Sequence, residues 1–484
     1  MARSNVVTRF APSPTGFMHI GSVRTALFAY LYARAYAGTF ILRIEDTDKA
    51  REVSGAIDHI QASLRWLGLS YDYGPESPGP FGSCIQSERL ATYQHVARDL
   101  YDRGLAFADP YSPAEMDEFK QAAVAAKRPF LYRDHRPENP PAWDGTQPLR
   151  LRVDPETRIT WHDAVRGELS AGPEMLDDFI IMKADGYPTY NFAHIVDDHA
   201  MGVTHVMRGD EFISSTPKFL ALYRALGIEP PVLATLPPIL RPDRTKKLGK
   251  RDGAKDILEY KADGFLPETM VNFLALIGWN PGTDEEIFSL SELVARFDLA
   301  QVQRAGAAFN EEKLAWMNGV HLAHADTTTR ETYVVDALEP ILREQPQYAR
   351  ERITRLTPTV LERARTTAEI RTNAGEGEYD FAVAAPEYDT ALLAFKHDTS
   401  VADVAPRLTH VRELLADADF SSPELIKATL WPYAEAVGRG QVLWPLRVAL
   451  TGRERSPDPF TVAHIIGRAE TLHRIDVACA KIGA

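Results

Sequence analysis

The sequence contains little cysteine and no long apolar run. Cys84 and Cys479 are its only cysteines, and two residues so far apart exclude a disulfide framework and a zinc site built from cysteines. No apolar run approaches membrane-spanning length, and the N-terminus lacks an apolar signal segment. We therefore expect a soluble, cytoplasmic protein that does not contact a membrane.

An excess of positive charge is also absent. The net charge of −13 argues weakly against a nucleic-acid partner, but such binding depends on local basic surface rather than on the whole chain. Arginine and lysine are concentrated in residues 241–251, which hold six of them, and again in residues 350–365. Each cluster is either a binding surface or a solvated face.

The first third of the chain has an α/β pattern. Of the 484 residues, 45% are hydrophobic and 25% are charged, which is typical of a globular protein with several domains. Residues 5–75 alternate strand, helix, strand and helix, with the second strand at 39–44 and the second helix ending at Gly68. This order predicts the start of a doubly wound parallel sheet.

The rest of the chain changes character twice. Helical runs near 87–104 and 113–127 precede a proline-rich segment with short strand-like pieces, and the α/β pattern returns at 204–240. From residue 257 onward the periodicity is helical. The sequence predicts an α/β Rossmann-type catalytic domain with an α+β insertion, followed by an all-α C-terminal half.

One turn carries the strongest functional signal. The segment 9–22, RFAPSPTGFMHIGS, joins the first strand to a helix that starts near Gly21. Free amides at a helix N-terminus bind phosphate, glycine lets a ligand approach the backbone, and His19 adds a further donor. This junction lies at the carboxyl end of a strand, where nucleotides bind in open parallel sheets.

A second segment complements that turn. Residues 246–253, KKLGKRDG, form a glycine-containing loop with three lysines and an arginine before its aspartate. Lysines on a mobile loop suit a polyphosphate whose charge grows as pyrophosphate leaves. Each segment alone is weak, but both in this order within a split α/β domain indicate an ATP site.

Together these segments resemble the two signature motifs of class I aminoacyl-tRNA synthetases, and more narrowly those of bacterial-type glutamyl-tRNA synthetases. Further similar motifs occur in the family's order along nearly the whole chain. They are RIEDTD at 43–48, YPTYNFA at 187–193, VDDH at 196–199, THVMRGDE at 204–211, FNEEKLAW at 309–316 and PLRVALTG at 445–452.

The resemblance implies a division into domains. The expected parts are the first half of the Rossmann catalytic domain at 1–110, an inserted acceptor-end-binding subdomain at 111–187, the second half with the basic loop at 188–255, a stem-contact helical domain at 256–325 and helical anticodon-binding domains at 326–484.

The resemblance also implies a glutamate-binding pocket. Its residues would be Arg9, Ala11, Ser13, Glu45, Tyr190, His194 and Arg208. Guanidinium groups suit the carboxylates of glutamate, and Glu45 suits its α-ammonium group. Alternatives stay open: Arg9 could pair with Asp46 or Asp48, Glu45 could form a structural ion pair, and His194 could be a core histidine.

For ATP the resemblance implies His19, Gly21, Glu211, Leu248 and Lys250, with His19, Lys247 and Lys250 as the catalytic residues and Mg²⁺ accompanying ATP. His19 alone would otherwise be interpreted as a structural histidine. Gly249 stands where serine is common in this loop, which leaves the detailed loop mechanism open.

Some family members hold zinc in the insertion, but the comparable stretches 107–111 and 132–135 contain no cysteine. His135 alone cannot form a tetrahedral site, so we expect no zinc and no metal held by protein cysteines.

The expected reaction forms glutamyl-adenylate and then transfers glutamate to the terminal adenosine of tRNA(Glu). The expected partners are therefore tRNA(Glu), ATP and L-glutamate, and we expect a monomer. Phosphate contacts in the helical half are expected from Arg350, Arg352, Arg355, Arg363 and Arg365, unless these form a solvated face.

Three other functions compete with this one. A small-molecule nucleotidyltransferase would not need the helical half, an inactive RNA-binding paralogue would not need the intact ATP motifs, and a truncated tRNA-modifying relative would be shorter. Charging of the glutamine tRNA is not decided by the sequence.

Overall fold

The computed structural model describes residues 5–154, 158–249, 255–396, 398 and 400–483. The strands are β1 (Val7–Phe10), β2 (Thr39–Leu42), β3 (Ala106–Ala108), β4 (Leu149–Leu151), β5 (Ile159–Asp163), β6 (Gly167–Ala171), β7 (Phe179–Met182), β8 (His205–Gly209), β9 (Val232–Leu236), β10 (Ile239–Leu240) and β11 (Ala307–Ala308).

The helices are α1 (Ile20–Ala35), α2 (Ala56–Trp66), α3 (Leu90–Asp102), α4 (Pro113–Ala125), α5 (Tyr190–Ala200), α6 (Thr216–Leu226), α7 (Ile257–Ala262), α8 (Pro267–Leu276), α9 (Leu290–Arg296), α10 (Glu311–His324), α11 (Thr327–Leu342), α12 (Arg350–Leu361), α13 (Thr367–Gly375), α14 (Ala405–Ala416), α15 (Pro423–Val437), α16 (Arg439–Thr451), α17 (Pro459–Ile466) and α18 (Arg468–Gly483).

The large sheet is mostly parallel, as the α/β pattern predicts. Its six strands follow the order β2-β1-β8-β9-β5-β6, and only β6 runs antiparallel to its neighbour. Buried β-branched and aromatic residues form β1 and β2, which favours strands covered on both faces. A Cβ at Gly38 would lie 2.1 Å from the carbonyl oxygen of Val6, so only glycine fits where the chain enters β2.

The segment 111–187, expected as the insertion, is divided between two sheets. Strands β4 and β7 pair with β3 in a small antiparallel sheet, and β3 itself lies before residue 111. The β5–β6 hairpin instead extends the large sheet. Asp163 secures this attachment, because its buried carboxylate accepts hydrogen bonds from the amide and the hydroxyl of Thr235 in β9. Hydrophobic periodicity cannot reveal such a side-chain attachment between strands distant in sequence.

The chain divides into two compact units. The first comprises Met1–Ala262 and Leu266–Glu311, and the second comprises Asp263–Phe265 and Glu312–Ala484. The second unit is helical, with an apolar core that includes Leu338, Leu356 and Leu446. The predicted fold class, an α/β body followed by a helical half, is confirmed. The segment expected as the stem-contact domain, 256–325, is shared by the two units.

Candidate active site

His19 stands at the junction between the turn after β1 and helix α1. Its extended backbone (φ −103°, ψ 166°) makes it the N-cap, and its Nδ1 accepts hydrogen bonds from the amides of Gly21 at 3.1 Å and Ser22 at 3.4 Å. A Cβ at Gly21 would lie 3.1 Å from the His19 ring, a tight contact that glycine avoids. The imidazole is thus fixed at a helix start, where anions bind.

A cavity of about 460 Å³ opens beside this helix start. It lies at the carboxyl ends of β8 and β9 and includes groups from the basic loop, so it brings together segments far apart in sequence. Among the residues expected to bind ATP, those lining the cavity are His19, Gly21, Glu211 and Leu248; the expected catalytic residue Lys247 and its neighbour Gly249 also line it. Lys250 lies outside the described residues.

Lys247 and Glu211 form an ion pair across this cavity. The lysine Nζ lies 3.0 Å from Oε2 of Glu211, and both side chains are about half exposed. Partial burial would raise the pKa of Glu211, but its own backbone amide and Lys247 outweigh it and lower that pKa. The Glu211 carboxylate is therefore ionised, and a bound phosphate would compete with it for Lys247.

Arg24, which was not expected from the sequence, also lines the cavity. This buried arginine donates to the carbonyl oxygens of Pro237 and Ile277, and burial lowers its pKa to about 10 despite the charge of Asp210. It thereby holds the segment after β9 against α1. The sequence contains an indication of this role. Arg24 lies on a helix that is buried on most sides, and arginine is rarely buried without partners.

Arg9, at the carboxyl end of β1, is bound by Asp198 of α5. Its Nε lies 3.2 Å from Oδ1 of Asp198, and its Nη1 donates to the Met207 carbonyl at 3.3 Å. The alternative partners considered from the sequence were wrong. Asp46 pairs with Lys49, and Asp48 with Arg51. These two acids pair with cations of their own turn, whereas Asp198 approaches Arg9 from a helix placed there by the fold.

Asp198 is the centre of a buried charge cluster. Its Oδ1 also accepts from Nη1 of Arg43 at 2.7 Å, while Oδ2 has no hydrogen-bond partner in the described part of the chain. Burial would raise the pKa of Asp198, but Arg43 and Arg9 overcome it and lower that pKa to about 2. The carboxylate therefore stays ionised and fixes both guanidinium groups.

The neighbouring Asp197 is the centre of a second cluster, in which protein side chains hydrogen-bond to both carboxylate oxygens. It accepts from Arg89 at 2.8 Å, Gln86 at 2.8 Å and Tyr93 at 2.7 Å. The motifs around 43–48 and 196–199 were noticed in the sequence, but no role was assigned to Arg43, Asp197 or Asp198. The sequence did contain an indication, because Asp197 and Asp198 directly follow the apolar pair Ile195 and Val196, and acids buried in a helix require partners.

Glu45 forms the structural ion pair that the sequence analysis left as an alternative. Its Oε1 accepts from Nη2 of Arg43 at 2.9 Å, and the side chain is buried. Burial raises the pKa of Glu45 to about 7, even though Arg43 and Arg9 act in the opposite direction. The group therefore changes charge near neutral pH.

Arg208, at the end of β8, lacks a carboxylate partner. It is 5% exposed, its Nη2 lies 3.2 Å from the Thr216 hydroxyl, and its guanidinium lies over the Phe219 ring at 4.6 Å. Within the described residues, no acidic oxygen lies within 4 Å of it, and burial lowers its pKa. A buried guanidinium with no carboxylate in contact can take an anion as its partner.

His194 supports Tyr190 from within the core. Its ring stacks on that of Tyr190 with centroids 4.7 Å apart, its Nδ1 lies 2.7 Å from the Tyr190 carbonyl oxygen, and Phe219 packs against it edge-on. Burial lowers the pKa of His194 to about 3, so it is neutral. Of the other expected residues, Ala11 and Ser13 lie in the turn after β1.

Just before the insertion, Asp109 joins the two stretches compared with zinc sites. It accepts from the Tyr132 hydroxyl at 2.8 Å and from Nε of Arg150 at 2.6 Å, and the Arg150 guanidinium lies 3.7 Å from the centre of the Tyr132 ring. Among the described residues, no cluster of three or more His, Cys, Asp or Glu residues could hold a metal ion.

The helical unit contains a cavity of about 650 Å³ that is both aromatic and basic. Trp431 and Trp444 line it, and cations lie over the Trp431 ring, Lys427 at 4.7 Å and Arg439 at 4.6 Å. Arg447 also faces it.

The five arginines expected to contact phosphate each have a protein partner. Arg350 pairs with Glu339, Arg352 with Glu470, Arg355 with the His464 carbonyl, Arg363 with Glu378 and Arg365 with Glu369.

Comparison with known proteins agrees with this arrangement. Residues 5–316 match the catalytic domain of "tRNA synthetases class I (E and Q)", and residues 333–479 match an "Anticodon binding domain". The chain is 38% identical to the glutamate–tRNA ligase of Clostridium botulinum strain Eklund 17B, with 98% of each chain covered. It is 39% identical to that of Dehalococcoides mccartyi strain BAV1, covering 99% of this chain and 98% of the relative.

Solved structures are similar over the same length. A glutamate tRNA ligase from Elizabethkingia meningosepticum, in complex with its amino acid, superimposes with a TM-score of 0.85 at 32% identity, with 99% of each chain covered. The protein is thus a class I aminoacyl-tRNA synthetase. Within that class, the chain belongs to the glutamate–tRNA ligase family. In the part of the chain that the structure describes, no helix combines the length and apolar character needed to cross a membrane.

Proposed function

We propose that this chain uses ATP to activate L-glutamate and transfers the glutamyl group to the terminal adenosine of tRNA(Glu). The observation that carries the proposal is Arg208, a buried guanidinium without a carboxylate partner among the described residues, close to the charge cluster of Arg9 and Glu45. A dicarboxylic amino acid supplies the missing negative charge.

Each end of glutamate has a complementary group in this pocket. Arg208 and Arg9 attract the carboxylates, and ionised Glu45 attracts the α-ammonium group. Glutamine presents a neutral amide to Arg208 and so leaves its buried charge without a partner. Binding of glutamine is therefore disfavoured. Tyr190, held by His194, closes the side of the pocket, and Ala11 and Ser13 line it by family resemblance.

In the first step, the α-carboxylate of glutamate attacks the α-phosphorus of ATP and pyrophosphate leaves. The attacking group is already ionised, so the reaction needs no general base. His19, the positive end of the α1 dipole and Lys247 stabilise the phosphate charge, and Lys250 joins them by family resemblance. Mg²⁺ bound with ATP would neutralise phosphate charge, and the carboxylates of Asp210 and Glu211 at this cavity suit that ion.

In the second step, the 2′-hydroxyl of the terminal adenosine attacks the mixed anhydride, and AMP leaves.

The aromatic and basic cavity around Trp431 is the site we propose for a nucleobase of the tRNA anticodon. Indole rings stack on bases, and Lys427, Arg439 and Arg447 attract the phosphates beside them. We favour this cavity over the five arginines between 350 and 365 because it combines an aromatic face with basic groups, although Arg439, like those arginines, already pairs with an acid, Glu435.

Pyrophosphate exchange tests the proposal. We expect exchange that requires glutamate, is not supported by glutamine and depends on added tRNA, together with charging of purified tRNA(Glu). Tight RNA binding without any exchange would contradict it. Parallel charging of purified tRNA(Gln) determines whether the enzyme discriminates between the two tRNAs.

Three further expectations belong to the proposal. The chain acts as a monomer of 54.0 kDa in sedimentation, acts in the cytoplasm, and divides into the five domains expected from its sequence. Limited proteolysis near residues 255 and 325 tests the division.

A further inference from the structure

His59 is a largely buried residue of α2 that the proposed reaction does not use. Its side chain is 11% exposed, and its two ring nitrogens reach two other segments of the chain. Nδ1 lies 3.4 Å from the amide nitrogen of Met18, and Nε2 lies 3.1 Å from Oδ1 of Asp256. Met18 directly precedes His19, so one bond of His59 holds the backbone of the catalytic turn.

The two bonds determine the tautomer of His59. The Met18 amide is a donor, so Nδ1 accepts and carries no proton, and the neutral ring has its proton on Nε2, which donates to Asp256. Ser63, one turn further along α2, donates its hydroxyl to the His59 carbonyl at 2.6 Å and lies 3.4 Å from Nδ1. The ring therefore has a defined orientation.

The same turn is held from its other side by the start of α7. Asp256 forms an antiparallel bridge with His19, and the amide of Ile257 donates to the Met18 carbonyl at 3.0 Å. Phe17 stacks on the His59 ring, with centroids 4.6 Å apart and planes 21° apart. Residues 17–19 are thus clamped between α2 and the residues that follow the basic loop.

We propose that His59, through Met18 and Asp256, is a positioning residue for His19 in adenylate formation. This inference rests on the proposed function. His19 caps α1 and lines the ATP cavity, so a shift of the preceding amide moves the imidazole relative to the phosphates. A misplacement of about 1 Å can lower a rate roughly hundredfold. The glutamate pocket is formed by other residues, so glutamate binding does not depend on His59.

The first test replaces His59 by phenylalanine, which keeps the ring packing against Phe17 and removes both nitrogens. We expect kcat for glutamate-dependent pyrophosphate exchange to fall roughly ten- to hundredfold, with an unchanged KM for glutamate. His95→Phe, at an exposed histidine of α3, is the matched control and should leave both constants unchanged. A loss confined to KM for glutamate, or no change in kcat, would overturn the inference.

The second test asks whether His59 acts through His19. In a His19→Ala background, adding His59→Phe should lower kcat no further. Equal losses in both backgrounds would show that His59 acts independently of His19 and would overturn the inference. If His59→Phe does not fold, Asp256→Ala breaks the same link from its other end and must show the same dependence on His19. Absence of glutamate-dependent exchange in the unmodified protein would instead overturn the proposed function, and this inference with it.

Discussion

Arg9 and Asp198 form a buried ion pair, with Nε of the arginine 3.2 Å from Oδ1 of the carboxylate. The same oxygen accepts from Arg43, which in turn binds Glu45. One carboxylate of α5 therefore orients two arginines, and through Arg43 it also fixes the acid proposed to bind the α-ammonium group. The glutamate pocket depends on a residue that does not itself need to touch the substrate.

The first prediction concerns Asp198 itself. Asp198→Asn keeps the shape of the side chain but leaves Arg9 and Arg43 with less negative charge in a buried site. We expect the free energy of unfolding to fall by about 3–5 kcal/mol, the usual cost of breaking a buried ion pair. Urea unfolding at about pH 7.5 measures this free energy. Asp185→Asn, at an exposed aspartate, is the control, and equal stability of the two variants would contradict the prediction.

Arg208 should behave in the opposite way. Burying this arginine without a carboxylate partner costs stability, so Arg208→Met should leave the thermal unfolding temperature unchanged or raise it in the absence of substrate. The same change removes a charged contact worth about 1.5–3 kcal/mol, which corresponds to a rise of roughly ten- to a hundredfold in KM for glutamate. A variant that loses stability while keeping its KM would show that Arg208 is structural.

These two residues also show how much of the site could be predicted from the sequence. Arg9 and Arg208 were found because each ends a strand within a recognisable motif, and the α/β body and helical half followed from hydrophobic periodicity. Asp198 was missed as the partner of Arg9, because 189 residues separate the two and their proximity depends on how α5 packs against the sheet. The attachment of the β5–β6 hairpin to the large sheet escaped prediction for the same reason.

Glutamate binding should depend on pH through Glu45. Its pKa is raised to about 7 by burial, so below that value the carboxyl is increasingly protonated and neutral, and it attracts the α-ammonium group less. We expect KM for glutamate to increase as the pH falls from about 8 to about 6, and Glu45→Gln to raise KM and flatten this dependence. His194 cannot cause such a change, because its pKa of about 3 keeps it neutral throughout. A profile unaltered by Glu45→Gln would contradict the assignment.

The insertion should be stable without zinc. Asp109, Tyr132 and Arg150 already join the stretches that would hold the metal, so we expect a zinc-selective chelator, applied with Mg²⁺ in excess, to leave both exchange activity and the unfolding temperature unchanged. Asp109→Asn should lower the free energy of unfolding by about 3–5 kcal/mol, because it weakens a buried pair with Arg150. Zinc found at one equivalent by elemental analysis, with loss of stability on chelation, would contradict this view.

Trp431 tests the proposed nucleobase site in the helical unit. Stacking of one base on an aromatic ring contributes about 1–3 kcal/mol, so Trp431→Ala should raise the dissociation constant for tRNA(Glu) roughly five- to a hundredfold. Trp431→Phe should recover part of the affinity, since it retains a smaller aromatic face. Val437→Ala, at an exposed position of the same helix, is the control and should bind as the unmodified protein does.

A minihelix that contains only the acceptor stem provides a second test. Because stacking on the anticodon requires the anticodon bases, the loss of affinity caused by Trp431→Ala should disappear with this ligand. An equal loss for the minihelix would show that Trp431 affects the fold of the helical unit rather than a base contact.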